Sequence, residues 1–342
     1  MTATGKKLTL FPLLLLILMV SGLQSTTKVG TSVAQFLKIG VGARATAMGE
    51  SFNALSTGVT SIYWNPAGLA RLSKSELFFS HTNWLAGISH DFFAVAVNAP
   101  GVRGTIGLFA NSVSVPEDEV RTVFQPEGTG EFFDASDLAI GLSYALSITD
   151  RFSVGFVGKY IQERIWSMNS SAVALDIGTH YHSQFHNLKI GIALSNFGTK
   201  MHLSGRANLL FVDPDPFIEG NTETIRAELE MGKWDLPLYV RTGIALDLIQ
   251  GKGINISCAV DMIHPNDNLE FFNTGFEASI ADMFFLRGGY RGYGMDEAEG
   301  GLAFGGGLKL SLGSLTKLHI DYAVTDFGRL SFVHQFSTSV SF

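Results

Sequence analysis

The sequence predicts an all-β protein: a transmembrane antiparallel β-barrel of about 14 strands with an N-terminal segment that plugs it. Three observations carry that expectation. From about residue 75 to the C-terminus, bulky apolar residues alternate with small or polar ones in run after run. The connections between runs also alternate in length, two or three residues and then five or more, as periplasmic turns and extracellular loops do in outer-membrane barrels. Composition supplies the third: 46% of the 342 residues are hydrophobic and only 16% charged, against roughly 25% charged in soluble domains. Yet beyond the first twenty-odd residues no apolar run approaches the roughly 18–20 residues of a membrane helix.

At the N-terminus, Lys6 and Lys7 precede an apolar stretch over residues 8–20, followed by Ser21-Gly22-Leu23-Gln24-Ser25. That order is the layout of a secretory signal peptide, so residues 1–25 are set apart from the fold and export is expected. An anchor helix is the alternative, disfavoured by length.

Residues 26–74 do not alternate. Val33, Phe36 and Leu37 stand at helical spacing, and Gly40, Gly42 and Gly49 punctuate an Ala-rich stretch. Further on, Asn65 can cap a helix that Pro66 begins, because proline at the first helical position lacks only a donor that would be unpaired anyway. A short helix over 66–72 is predicted. A fourteen-stranded ring is wider than the eight-stranded barrel that side chains fill alone, so this segment is expected to act as a plug, or hatch. A periplasmic tail packed on nothing is the alternative.

The barrel is expected over 75–342, with strands near 75–82, 90–99, 103–113, 135–148, 152–166, 172–184, 187–197, 237–250, 253–263, 269–281, 284–293, 300–312, 316–325 and 332–342. In the fourth, Leu138, Ile140, Leu142 and Tyr144 share one face, and Ala139, Gly141, Ser143 and Ala145 the other. The small faces carry isolated charges of both signs, among them Lys159, Asp176, Arg241, Glu277, Arg287 and Asp321, as suits a crowded, partly wet lumen. A soluble β-sandwich is the competing fold. Its solvent face would carry long charged side chains, and fourteen bulky faces would overfill its interior, whereas hydrocarbon covers them all from outside. Trp84, Tyr160, Trp166, Phe197, Tyr239 and Tyr290 are candidates for the interfacial aromatic girdles. Leu142→Arg is expected to place a charge in lipid and Ser143→Arg, facing the lumen, to be milder. An even strand count puts both mature termini in the periplasm.

Two connections are long, about 114–134 and about 198–236. The second holds seven acidic residues against four basic ones. Asp213, Asp215, Phe217 and Glu219 within it are candidates for a partner-binding loop or lid, and a solvated loop shielding the barrel mouth is the equal alternative. The chain ends Phe336-Ser337-Thr338-Ser339-Val340-Ser341-Phe342. Outer-membrane barrels commonly end in such an alternating strand with a terminal aromatic, so Phe336 and Phe342 are expected to be read by the barrel assembly machinery.

Three stretches carry a family resemblance: Gly42-Ala43-Arg44-Ala45-Thr46-Ala47-Met48-Gly49, the box Ile62-Tyr63-Trp64-Asn65-Pro66-Ala67-Gly68-Leu69, and Asp321-Tyr322-Ala323-Val324-Thr325-Asp326-Phe327-Gly328-Arg329-Leu330 with His334 and Phe336. Together they resemble the PorV/PorQ family, within the wider group of FadL-like barrels whose fourteen strands enclose a hatch containing a similar Asn-Pro-Ala box. The resemblance covers essentially the whole mature chain. It implies a gram-negative outer-membrane protein associated with type IX secretion, binding exported cargo or other secretion components, with Asn65, Pro66, Ala67, Gly68 and Leu69 as the hatch motif. FadL proteins themselves pass hydrophobic molecules sideways into the membrane, which is the alternative function.

No catalytic constellation is apparent, and neither a cofactor nor a metal is expected. His180 and His182 share a strand face with His186 nearby, but no Cys or carboxylate stands beside them at ligand spacing. Gly305-Gly306-Gly307 lies inside an alternating strand with no helix after it, unlike a phosphate-cradling loop. The net charge of -7 with no basic run excludes a nucleic-acid footprint. Cys258 is the single cysteine, so no internal disulfide can form.

Overall fold

Fourteen strands close into one antiparallel ring: β1 (Glu76–Asn83), β2 (Ser89–Val97), β3 (Thr105–Glu119), β4 (Phe132–Ser147), β5 (Phe152–Ile165), β6 (Met168–His182), β7 (Lys189–Gly198), β8 (Tyr239–Gln250), β9 (Ile254–Pro265), β10 (Phe271–Ile280), β11 (Phe284–Tyr293), β12 (Leu302–Leu312), β13 (Thr316–Asp326) and β14 (Phe332–Ser341). The structure is a computed structural model and describes residues 29–342 apart from 99–100, 102, 186, 214–224, 252, 296–297, 299 and 314. The signal-peptide segment, 1–25, therefore lies outside the described residues. Each strand pairs with its neighbours in sequence and β1 pairs with β14, so the ring has no free edge, the condition for crossing a membrane with strands.

The expected facing holds. Leu138, Ile140, Leu142 and Tyr144 are exposed on the outer wall while Ala139, Ser143 and Ala145 are buried. Outward Leu108, Val173, Ile192, Ile244, Phe276 and Phe304 continue an apolar band around the ring. Tyr160, Trp166 and Phe197 are exposed as girdle residues should be, and Tyr290 is half-buried. Tyr239 is not one of them. It shares the parity of Arg241 and Gly243, faces inward, and lies 4.7 Å from the Arg241 guanidinium.

Loop lengths follow the expected alternation with three exceptions. β5 and β6 stay paired through Ile165 and Met168, leaving Trp166 and Ser167 as the whole connection where five or more residues were expected. Trp166 takes a left-handed conformation, φ 51°, to make that turn. The turns at 98–104 and 183–188, on the other rim, are longer than expected. β3 extends to Glu119 past a register shift between Val115 and Asp118, where Pro116 removes a ladder donor.

Residues 32–72 pack inside the ring. They form short pieces, 3-10 helices at Gln35–Lys38 and Pro66–Arg71 and α-helical turns at Ala43–Ala47 and Ser61–Trp64, the first three separated by glycines and the last two by Asn65. The predicted helix over 66–72 is thus a 3-10 helix. The segment starts at the rim of the long loops, where the Val33 N–H donates to the Asp235 carbonyl at 3.1 Å. It leaves at the short-turn rim, where the Phe342 N–H donates to the Ser75 carbonyl at 2.9 Å. The two ends of the described chain therefore lie at opposite rims. Strand parity alone puts them together; the crossing of the lumen before β1 separates them.

Candidate functional site

The site is the filled lumen and the long-loop rim above it. Its centre is built on Asn65, whose extended backbone precedes Pro66 and whose Oδ1 accepts the Ala67 N–H at 3.2 Å, capping the 3-10 helix as the sequence predicts. The same side chain donates to Asn53 Oδ1 at 3.0 Å and to the Thr179 carbonyl of β6 at 3.1 Å. Asn53 in turn donates to the carbonyls of Gly191 and Arg241 at 2.8 and 3.1 Å. Asp261 of β9 accepts the N–H groups of Phe52 and Asn53 at 2.9 and 2.8 Å. Pro66, Ala67, Gly68 and Leu69 of the hatch motif are all buried.

These contacts need the wall to be thin. A Cβ on Gly155 would clash with Pro66, on Gly178 with Asn65, on Gly191 with Asn53, and on Gly275 or Gly289 with Met48. Five strands thus present glycine where the plug backbone touches them. The Gly/Ala/Ser face read from the sequence is the imprint of this segment.

Charges inside are matched to one another. Glu277 accepts from Arg44 of the plug at 2.9 and 2.8 Å and from Arg287 at 2.6 Å, and Arg287 also donates to Asp321 at 2.6 Å. Lys159 pairs with Asp176 at 2.8 Å, and Glu50 with Arg291 at 2.9 Å. Arg241 lies among the rings of Tyr63, Trp64 and Tyr239 at 5.9, 5.6 and 4.7 Å.

At the upper rim, Phe36, Leu37 and Ile39 fill an apolar recess formed by Val113, Ala139, Ile161 and Ala172 of the wall and by Met201 and Leu236 of the long connection. One carboxylate holds this strap. Asp267, between β9 and β10, accepts from Lys38 at 2.6 Å, from Gln35 at 3.2 Å and from Ser32. Burial alone would raise the Asp267 carboxyl, but the bonds from Lys38, Ser32 and Gln35 hold it below its ordinary value. Tyr63 Oη reaches the carbonyls of Leu37 and Ile39 at 3.0 and 2.8 Å.

In the long connection, Leu209–Val212 and Ile225–Glu228 pair as a hairpin with Phe211 exposed, and Met201 bridges Trp234. Asp213 directly follows its first strand; Asp215, Phe217 and Glu219 lie outside the described residues, so the candidate loop is placed by its base alone. Phe336, midway along β14, and Phe342, just past its end, are both exposed. His180 is buried, with Nε2 2.7 Å from the Asn53 carbonyl and its ring 5.6 Å from that of His182; His186 lies outside the described residues. Among the described residues no group of three or more His, Cys, Asp or Glu side chains could hold a metal ion. Asn53 and Asp267 are the two residues that sequence reasoning missed.

Several solved barrels share this architecture. A Pseudomonas aeruginosa FadL homologue aligns with a TM-score of 0.54 at 9% identity, covering 88% of this chain and 98% of its own. The Pseudomonas putida toluene transporter TodX gives 0.55 at 12% identity, covering 88% and 97%, and the monoaromatic hydrocarbon channel CymD gives 0.54 at 12%, covering 89% and 97%. The fold is therefore FadL-like. No curated protein sequence matches the chain. The family model described as type IX secretion system protein PorV matches residues 23–213, more than half of the sequence and including the whole plug. The chain is a fourteen-stranded outer-membrane β-barrel and belongs to the PorV family.

Proposed function

We propose that this barrel acts without catalysis in type IX protein secretion or surface attachment, binding exported cargo or other secretion components through its long-loop rim, with the short turns in the periplasm. Family membership supports the pathway. The observation that favours binding over transport is the keyed plug: Asn53, Asn65 and Met48 seat against wall glycines too closely for a Cβ to fit, and part-buried ion pairs tie Arg44 and Glu50 to the wall. A plug held in this way has no ready path for a solute. The long connection, which packs Met201 and Leu236 onto the strap, would then be the outward partner surface, and its sequence contains Asp213, Asp215, Phe217 and Glu219. In this orientation the C-terminus faces the periplasm, and residues 29–32 reach the outer rim.

A FadL-like transporter of hydrophobic molecules is the second reading. The recess around Phe36 and Leu37 favours it, since withdrawal of the strap would leave an apolar pocket. Deleting residues 205–230 separates the two. On the binding reading the barrel still inserts but no longer co-purifies with surface-export partners, and uptake of fatty acids or aromatic hydrocarbons is unchanged. A knockout that secretes its surface proteins normally and loses growth on such hydrophobic substrates would establish transport instead.

A further inference from the structure

The terminal strand, singled out in the sequence for its aromatic end, has a second face. Ser337, Ser339 and Ser341 alternate with the outward residues of β14 and line a cavity of about 310 Å³ at the short-turn rim, between plug and wall. Register sets Asp321, His319 and Lys317 of β13 directly opposite these serines on one side. On the other side it sets Ser80, Phe78 and Glu76 of β1 opposite the same three. The plug supplies Arg44, Arg71 and Lys74 to the cavity wall.

The lining thus holds four cations, Arg44, Arg71, Lys74 and Lys317, against two carboxylates, Glu76 and Asp321. Both carboxylates are already engaged. Asp321 accepts from Arg287 at 2.6 Å, and Glu76 accepts the Val59 N–H at 3.0 Å. Arg44 is likewise committed to Glu277. Arg71 and Lys74 donate only to the backbone carbonyls of Asp150 and Leu315, and among the described residues neither they nor Lys317 make an ion pair with a carboxylate. The Ser339 hydroxyl is bonded to Glu76, so what remains available is an excess of positive charge beside the hydroxyls of Ser337 and Ser341.

We infer that this cavity binds a polar ligand bearing a phosphate group, entering from the short-turn side. A phosphate monoester carries about -1.5 to -2 at neutral pH, matching the lining's net excess of two positive charges, and its oxygens take several donors at once. The cavity lies beside the barrel seam, so the group can come from a soluble phosphate or from a lipid headgroup of the adjoining leaflet.

Calorimetric titration of the full-length barrel in detergent tests this with four probes: glucose 6-phosphate, glucose, glucuronate and a short-chain phosphatidic acid. One or both phosphate probes should bind, and glucose and glucuronate much more weakly. Binding of the sugar phosphate alone assigns a soluble source; binding of the phosphatidic acid alone assigns the leaflet. Lys317→Gln and Arg71→Gln should each weaken binding roughly tenfold, with heat-modifiable migration confirming that the variants are folded, while Lys200→Gln at the opposite rim should leave it unchanged. The inference is overturned if no phosphate probe binds at millimolar concentration, if glucose or glucuronate binds equally well, or if both folded variants bind like the parent.

Discussion

The Lys38 ammonium lies 2.6 Å from the Asp267 carboxylate, across 229 positions of sequence, and fastens the start of the plug to the loop between β9 and β10. Asp267→Ala removes the acceptor shared by Ser32, Gln35 and Lys38, and should cost on the order of 1–3 kcal/mol locally. Hydrogen exchange should rise over 32–39 while the barrel still migrates as folded. The pH dependence has a definite sign. The folded-state value of Asp267 is depressed, so its contribution is complete above the ordinary value of 3.8 and is lost as pH falls through the folded value. Strap protection, meaning exchange relative to the intrinsic amide rate at each pH, should therefore stay flat through neutral pH and fall only in acid; a fall between pH 6 and 8 would assign the latch to another group.

Leu142 and Ser143 are adjacent and face opposite environments. Leu142→Arg puts a cation against lipid and should cost about 2–4 kcal/mol of barrel stability. Ser143→Arg faces the lumen and is expected to be milder for the barrel, but Ser143 is buried where the plug fills the lumen, so the added side chain meets the plug. It should leave insertion intact but displace the plug, read as raised conductance in planar bilayers.

Gly155 and Gly158 make a second pair on one strand. A Cβ at Gly155 runs into Pro66, whereas one at Gly158 meets nothing within 4 Å. Gly155→Ala should destabilise by roughly 1–3 kcal/mol and loosen the plug, and Gly158→Ala should be silent in the same thermal melt.

Asn65→Ala removes a cap and two donors to buried acceptors. The loss should be about 2 kcal/mol or more, with exchange rising over 61–71. Asn65→Asp keeps the capping oxygen but not the donors, so it should fail to rescue.

Phe342 is exposed beyond the last ladder pair, its N–H bonded to the Ser75 carbonyl. If the assembly machinery reads this end, deleting Phe342 should slow insertion in a pulse-chase assay without changing the melting of the barrel that does form. Insertion at the parental rate would remove Phe342 from the signal.

The wall was legible in the sequence and so was the segment that fills it, but most of the contacts that seat that segment were not. Period-2 alternation is a local property, so Leu142 and Ser143 declare their faces without any knowledge of a partner strand. The departures at Trp166 and Tyr239 arise where alternation runs to a strand end: pairing carries β5 and β6 into a tight turn, and parity outranks aromatic character. Asn65 was found because capping is local too. Asn53 and Asp267 were missed because their partners are far away in sequence: Asn53 meets Gly191, Arg241 and Asp261, and Asp267 meets Ser32, Gln35 and Lys38. Nothing in a single segment marks either residue as special.

The opposite placement of the two chain ends bears on the order in which the protein can be made. Residues 32–72 are encircled once β14 zips onto β1, and their close contacts with wall glycines leave no passage for a folded domain. A folded reporter fused ahead of residue 29 must therefore be enclosed before that seam closes, or it stalls assembly. The same reporter after residue 342 stays outside the ring and meets no such obstacle.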